Sequence, residues 1–306
     1  MRDSLILDEP GKGVVERPAV SIVVPAFNAE ATIDDCVESL LGVDRPTGGL
    51  EIIVVNNGST DHTHQRLNRF GDRIRIVQEG IRGAAAARNA GIRHARGDYL
   101  AFIDADCIAE HDWLVKLIAP LSDPQVGIAG GAIEAKENCN RIEKFGQGLY
   151  DQRAAIAGSH PNAISANWGS RRNLLIDTGL FDESLVRGQD YDLARRVWAA
   201  GYRIVYCEDA RVKISTPGTI PALFVKGLQH GRALALIGRK YPSSEPDETP
   251  RTIALMRRIM RSAWLTIFSG QRFEALCETT FIAGKLAGRV RWSMGKSAPK
   301  RDRSTP

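Results

Sequence analysis

The chain's most chemical feature is a pair of carboxylates, Asp104 and Asp106, that ends the run Gly97-Asp98-Tyr99-Leu100-Ala101-Phe102-Ile103. Alternate residues of a strand share a face, so these two side chains aim at one point. Two hard oxygen donors at the carboxyl end of a strand suit a divalent cation, and such a cation suits a phosphate-bearing ligand. A strand followed by a solvated acidic turn has the same local sequence, so the pair needs its context to be read.

That context is a chain of alternating strands and helices. Val20-Ser21-Ile22-Val23-Val24-Pro25 reads as a buried strand ended by Pro25. Residues 29–41 carry Ala31, Ile33, Val37, Leu40 and Leu41 at helical spacing. Residues 51–55 predict a second strand running into Asn56-Asn57-Gly58-Ser59-Thr60-Asp61, where Asn-Gly marks a turn and Ser59 or Thr60 is placed to cap a helix. Residues 74–77 predict a third strand, 83–95 an alanine-rich helix and 99–103 a fourth strand. Such alternation predicts an α/β fold with a doubly wound, mostly parallel sheet and helices on both faces. Ligands bind such sheets beyond the carboxyl ends of the strands. Phe27-Asn28, Asn56-Asn57, residues 83–88 and Asp104 to Asp106 all fall there.

The second half is less regular. Residues 126–133 predict a strand with a glycine bulge, 165–170 a short strand and turn, 191–200 a helix, 203–207 a strand and 220–239 a helix. The length of 306 residues, 43% of them hydrophobic, allows one large domain with an appendage, or two domains. Residues 1–17 read as a flexible arm and 18–240 as the main domain. A basic amphipathic helical extension over 250–292 and a disordered tail over 293–306 follow.

The formal net charge of +5 hides an asymmetry: residues 251–306 hold 12 Lys/Arg and 3 Asp/Glu, a sum of +9, which leaves −4 for the rest. Ile253, Met256, Met260, Ala263, Trp264 and Ile267 share one helical face, with Arg251, Arg258 and Arg261 opposite. This pattern fits a helix lying in a membrane interface, and equally a helix packed on the main domain. No run approaches the ~18 apolar residues of a membrane span. Gly284 and Gly288 are four apart in a helical stretch that Lys285 and Arg289 interrupt, so they do not read as a membrane dimer motif. The basic stretch lacks interleaved aromatics on one face, which argues against a nucleic-acid partner. The five cysteines include no C-x-x-C pair, against a zinc site or a disulfide framework and for a reducing compartment. With no signal peptide recognisable, the expected location is cytoplasmic, possible membrane contact being peripheral.

A phosphate-binding G-x-x-x-x-G-K-[ST] is missing, since Val290 stands where Gly295-Lys296-Ser297 needs its first glycine, and G-x-G-x-x-G and H-E-x-x-H are missing too. What the chain does carry, in order, is Ser21-Ile22-Val23-Val24-Pro25-Ala26-Phe27-Asn28-Ala29-Glu30, Val54-Val55-Asn56-Asn57-Gly58-Ser59-Thr60-Asp61, Ala87-Arg88-Asn89-Ala90-Gly91-Ile92, the Gly97 to Asp106 segment, Gly179-Leu180-Phe181-Asp182-Glu183 and Gly188-Gln189-Asp190-Tyr191-Asp192-Leu193-Ala194-Arg195-Arg196. Over about residues 20–240 this resembles the inverting glycosyltransferases of family 2, which have the Rossmann-like GT-A fold.

The resemblance implies roles, and it divides the 18–240 domain into a nucleotide-binding half of about 18–110 and an acceptor half of about 111–240. Pro25, Ala26, Phe27 and Asn28 would hold the base and ribose of a nucleoside-diphosphate sugar, Asn57 would touch the base edge, and Gly83 would belong to the same nucleotide-sugar site. Arg88 would approach the diphosphate. Asp106 would bind Mg²⁺ or Mn²⁺, and Asp104 would contact ribose or the metal's shell. Asp190 would be the base that activates the acceptor hydroxyl, with Asn167, Trp168, Gln189 and Arg232 on the acceptor side. Asn56 stands where relatives carry Asp, which leaves a UDP-sugar only weakly favoured as donor. Many relatives add a late histidine ligand. Lys213-Ile214-Ser215-Thr216-Pro217 has none there, His230 and His160 are the candidates, and the Lys213 ammonium is a substitute charge. The implied activity is metal-dependent, inverting glycosyl transfer to a hydroxyl of a glycan or lipid-linked glycan, in cell-surface polysaccharide or glycolipid synthesis. A GT-A-like protein that holds a nucleotide or glycan without turnover is the alternative.

Overall fold

The computed structural model describes residues 19–136, 139–216, 218–241 and 272–294. The 1–17 arm, the 251–270 amphipathic pattern and the tail beyond Met294 lie outside the described residues. The strands are Val20–Ala26 (β1), Leu50–Asn56 (β2), Arg75–Gln78 (β3), Tyr99–Ile103 (β4), Cys107–Ala109 (β5), Val126–Ala135 (β6), Asn167–Arg171 (β7) and Arg203–Ile214 (β8). The helices are Ile33–Leu41 (α1), Thr63–Asn68 (α2), Ala84–His94 (α3), Trp113–Ile118 (α4), Arg141–Gln147 (α5), Gln152–Ala157 (α6), Arg172–Asp177 (α7), Gln189–Ala199 (α8), Ile220–Lys240 (α9) and Arg272–Met294 (α10).

The strands form one sheet in the order β3-β2-β1-β4-β7-β6-β8-β5. β3, β2, β1 and β4 are parallel, as the alternation predicts. The second half is mixed: β7 runs antiparallel between β4 and β6, β6 and β8 are parallel, and β5 lies antiparallel on the β8 edge. The expected glycine irregularity is present in β6, where register shifts fall between Val126 and Ile128 and between Gly131 and Ala132. β8 extends seven residues past the predicted end at Cys207, because Glu208 to Ala210 leave the ladder and Arg211 rejoins it opposite Ala132.

Period-two alternation on strands buried from both sides divides the core into two layers. Val20, Ile22 and Val24 of β1 and Ile103 of β4 pack with Ile33, Val37 and Leu40 of α1 and with Trp113 and Leu117 of α4. Val23 of β1 and Phe102 of β4 point the other way, against the alanines of α3 and Leu193 and Val197 of α8. Phe102, Trp168 and Phe181 form a ring cluster with centroids 5.6–5.7 Å apart.

α9 and α10 form a closely packed pair, and glycine makes it possible. A Cβ built at Gly227 would fall on the Phe281 carbonyl oxygen, one at Gly231 on that of Lys285, one at Gly284 on that of Phe224, and one at Gly288 on that of Leu228. The Gly284/Gly288 spacing thus has an intramolecular partner, Gly227/Gly231, and the two backbones touch. His230 is trapped beside this contact, its ring 5.3 Å from that of Phe281. Burial first, then the charges of Lys226, Lys285 and Arg187, push the His230 imidazole down from 6.5 to about 4.

Gly231→Ala is expected to lower stability by about 1–3 kcal/mol through overpacking, read from the denaturant midpoint. Gly238→Ala, where a Cβ meets nothing within 4 Å, is expected to be neutral or to stabilise by up to about 1 kcal/mol. Acid should also loosen the pair: His230 binds a proton more readily unfolded than folded between about pH 6.5 and 4. Stability attributable to it is therefore complete above that window and declines as pH falls, by about 2 kcal/mol at pH 5. Melting curves of wild type and His230→Phe at pH 7 and pH 5 measure this, and the variant's drop should be the smaller.

Candidate active site

β1 and β2 end in register, Ala26 opposite Asn56, and the loops leaving them interlock. Asn28 adopts a left-handed φ of 49°, which Asn tolerates. Its Oδ1 accepts from the Thr60 N–H at 2.9 Å, and its own N–H donates to Ser59 Oγ at 3.1 Å. That use of Ser59 corrects the expected cap: Asp61 Oδ1 accepts from the Thr63 N–H at 3.0 Å instead. Phe27 is 47% exposed beyond the end of β1, with the Arg82 guanidinium 4.2 Å from its ring centroid. Pro25 is half-buried, whereas the Ala26 side chain belongs to the core and offers only its carbonyl, which accepts from the Asn57 N–H at 2.8 Å.

Asn57 differs from its expected role. Its amide donates to the carbonyls of Glu79 at 3.1 Å and Ile81 at 2.7 Å, and its Oδ1 accepts from the Gly83 N–H at 2.7 Å. Both amide hydrogens are committed, so Asn57 shapes the loop over 79–83 and does not donate to a base edge. Asn56 donates to Gln78 Oε1 at 3.0 Å and accepts from the Ser59 N–H at 3.2 Å, again a use within the loops. Gly83 stands before α3 with φ of 137°, a conformation that favours glycine.

Asp104 and Asp106 lie where β4 ends. Arg88 of α3, itself 4% exposed, donates to Asp104 Oδ1 at 2.5 Å and lies 5.7 Å from the Phe181 ring centroid. Asp106 has a different setting. Burial and the Asp104 charge raise it from 3.8 to about 6, against the lowering field of Lys226. The Cys107 thiol donates weakly to Asp106 Oδ1 at 3.7 Å. Cys107 and Cys36 are buried behind the pair, and burial with the two carboxylate charges pushes both thiols up, so they stay protonated. A carboxylate held short of donors and repelled by its neighbour fits a hard divalent cation, which relieves both. Among the described residues, no group of three or more His, Cys, Asp or Glu side chains is arranged around a metal position. His230 packs on Phe281 and His160 on Trp198. The cation whose field lowers Asp106 is Lys226 of α9.

Asp190 is in the first turn of α8, after Gly188 with φ of 79°. Its Oδ1 accepts from the Tyr191 N–H at 2.9 Å, and its Oδ2 takes long hydrogen bonds from the Ser165 N–H at 3.4 Å and Ser165 Oγ at 3.5 Å. Gln189 is buried at the start of the same helix, and Arg232 is half-buried on α9.

Asn167 and Trp168 correct the acceptor-side expectation, since both are fully buried. Trp168 packs between Phe102 and Phe181 and presents no face to a sugar. Asn167 Oδ1 accepts from Trp113 Nε1 at 2.7 Å, while its amide donates to the Ala132 carbonyl at 2.8 Å and the Ala210 carbonyl at 2.9 Å. It ties β6, β7, β8 and α4 together. Sequence reasoning missed Tyr150, Arg187 and Lys226. Lys226 donates to the Tyr150 hydroxyl at 2.5 Å, and Arg187 to Gln229 Oε1 at 2.7 Å. Lys226 precedes Gln229 by three residues on the same helical face, a spacing that pointed to it.

Several known proteins share this architecture. Glycosyltransferase AglE of Haloferax volcanii is 28% identical over 198 residues, covering 63% of this chain and 65% of that protein. Poly-beta-1,6-N-acetyl-D-glucosamine synthase of Staphylococcus aureus is 24% identical over 274 residues, covering 85% of this chain and likewise 65% of that protein. The chain thus spans somewhat less than two thirds of these relatives' lengths. The mannosyltransferase PcManGT of Pyrobaculum calidifontis, solved in complex with GDP-Man and Mn²⁺, superimposes with a TM-score of 0.68 at 20% identity over 92% of this chain and 89% of that one, which shows the shared GT-A fold. The sequence profile described as glycosyl transferase family 2 matches residues 21–179, more than half of the chain, and the chain belongs to that family.

Proposed function

We propose that this family 2 glycosyltransferase moves a sugar, with inversion, from a nucleoside-diphosphate donor to a hydroxyl of a glycan or lipid-linked glycan, using Mg²⁺ or Mn²⁺. The observation carrying the reading is the division of labour among three carboxylates: Asp104 pinned by Arg88, Asp106 open to a cation, and Asp190 at a helix N-terminus with Lys226 in the field of all three. The donor base and ribose rest on the loops after β1 and β2, where Phe27 and Arg82 form the exposed rim. Arg88 keeps Asp104 fixed and brings a buried positive charge to the diphosphate side. A cation bound at Asp106 supplies Lewis-acid stabilisation of the departing diphosphate.

Asp190 accepts the proton of the acceptor hydroxyl as that oxygen bonds to the anomeric carbon and the bond to the diphosphate oxygen breaks. Its hydrogen bonds from Tyr191 and Ser165 orient the carboxylate without consuming all its lone pairs. A UDP-sugar is the first donor to test, and GDP- and dTDP-linked donors follow. No helix of the described residues is long and apolar enough to cross a membrane. Peripheral work at the cytoplasmic membrane face, on a lipid-linked acceptor, suits the basic face carried by Arg251, Arg258 and Arg261.

Thermal unfolding with UDP, GDP, dTDP and CMP, each with and without Mn²⁺, tests the donor site. One nucleotide is expected to raise the melting temperature in a Mn²⁺-dependent way, and Asp106→Ala should abolish that shift. Asp190→Asn should keep the shift while transfer falls by about 10²–10⁴-fold. Wild-type transfer retained in Asp190→Asn would remove the base from this position.

A further inference from the structure

The acceptor half holds positive charge that the transfer reaction, as described, does not use. Arg187 lies three residues before Asp190, and its guanidinium donates to Gln229 Oε1 at 2.7 Å. Lys226 is half-buried one turn earlier on α9, its ammonium held by the Tyr150 hydroxyl at 2.5 Å and 4.7 Å from that ring's centroid. Both partners are neutral. Among the described residues neither cation has a carboxylate within ion-pair distance, whereas Lys240 pairs with Asp182 and Asp192, and Arg196 with Asp192. Burial and then Arg187 depress the Lys226 ammonium, while Asp106, Asp104 and Asp190 support it at longer range. Arg232, Lys285 and the neutral His230 sit in the same positive field.

Two cations oriented by neutral hydrogen-bond acceptors and left without a carboxylate form an anion site. The donor diphosphate already has Arg88 and the Asp106 cation position on the β4 side. Arg187 and Lys226 come instead from the elements that carry and face Asp190, where the acceptor hydroxyl must lie. We propose that Arg187 and Lys226, oriented by Gln229 and Tyr150, bind a phosphate group carried by the acceptor, so that the acceptor is a phosphate-linked molecule and not a neutral glycan. The inference rests on the transfer reaction proposed above and names its acceptor class. The Arg187 fork grips two phosphate oxygens, and Lys226 neutralises the charge on the side of the carboxylates.

The test is calorimetric titration of hexyl phosphate and hexyl glucoside into protein saturated with Mn²⁺ and the nucleotide that stabilises it. Hexyl phosphate should bind at least tenfold more tightly than hexyl glucoside. Lys226→Met and Arg187→Met should each weaken hexyl phosphate at least tenfold and nucleotide less than threefold, and Lys226→Arg should recover most of the affinity, which excludes a folding defect. Glucose 1-phosphate and inorganic phosphate separate the sources: tighter hexyl phosphate marks a lipid phosphate, and tighter glucose 1-phosphate a sugar phosphate. Equal binding of the two hexyl compounds overturns the inference. So does a tenfold loss of nucleotide affinity in the Met variants with hexyl phosphate unchanged, which assigns the cations to the donor. If no nucleotide binds, the donor reading fails, and the same variants titrated with hexyl phosphate alone still decide the subsite.

Discussion

Two carboxylates one residue apart, half withdrawn from water, repel each other, and much of the surrounding structure answers that repulsion. Arg88 is buried on α3 and reaches Asp104, which pairs that carboxylate and fixes it in place. Asp106 receives no such partner and is pushed up to about 6. Behind both lie Cys36 and Cys107, small side chains that fill space and bring no second charge. The outcome is an asymmetric pair, one member satisfied by protein and the other available to a cation from solution. That asymmetry follows from chain topology: β4 sits beside β1, α3 packs on β1 and β2, and Arg88 reaches from α3 to Asp104.

The parallel half was legible because its information is local. Leu100 to Ile103 are apolar at every step and Val20 to Val24 at every step but Ser21, as suits strands covered on both faces. Beyond Ile103 local information fails. β8 carries Glu208 and Asp209, which read as a strand end, yet the ladder resumes at Arg211 because Ala132 and Ile133 wait in β6 to be paired. Residues 165–170 read as a short strand and turn, and the resemblance puts Asn167 and Trp168 on the acceptor side; the strand is present as β7. It lies in the middle of the sheet, where Asn167 satisfies two carbonyls and an indole at once. No window of sequence reveals that such an Asn has three partners 35 to 54 residues away. The same reasoning explains Asn57: the family pattern fixed its place beside the pocket, while its hydrogen bonds were set by the loop that returns over it.

Glycine supplies the other long-range instruction. Gly284 and Gly288 alone are an ambiguous pair, and so are Gly227 and Gly231. Together they are complementary, since each pair removes the side chains that would hold the other helix away. The close approach has a chemical consequence, because the residues between the glycines of α9 are Leu228, Gln229 and His230. A helix clamped at Gly227 and Gly231 has little freedom to rotate, so Gln229 is held toward Arg187 and His230 toward α10.

The same rigidity reaches Asp190, the proposed base. Asp192, two residues after Asp190, is fully buried and joins Arg196, Lys240 and the Tyr241 hydroxyl at 2.6–2.8 Å. Such a network is poor evidence for net stability, since desolvating its charges offsets much of their attraction. Its effect is geometric: it binds the first turn of α8 to the end of α9, while Gly188 lets the two approach within 2.9 Å of a built Cβ. Asp190 and Lys226 are therefore carried on helices locked to each other, and the helix carrying Lys226 is locked in turn to α10. An acceptor group held by Lys226 would meet the proposed base at a distance fixed by buried charges and glycine contacts. For a displacement that tolerates little misalignment of hydroxyl, base and anomeric carbon, that is the physical use of a buried ion network that stability alone does not require.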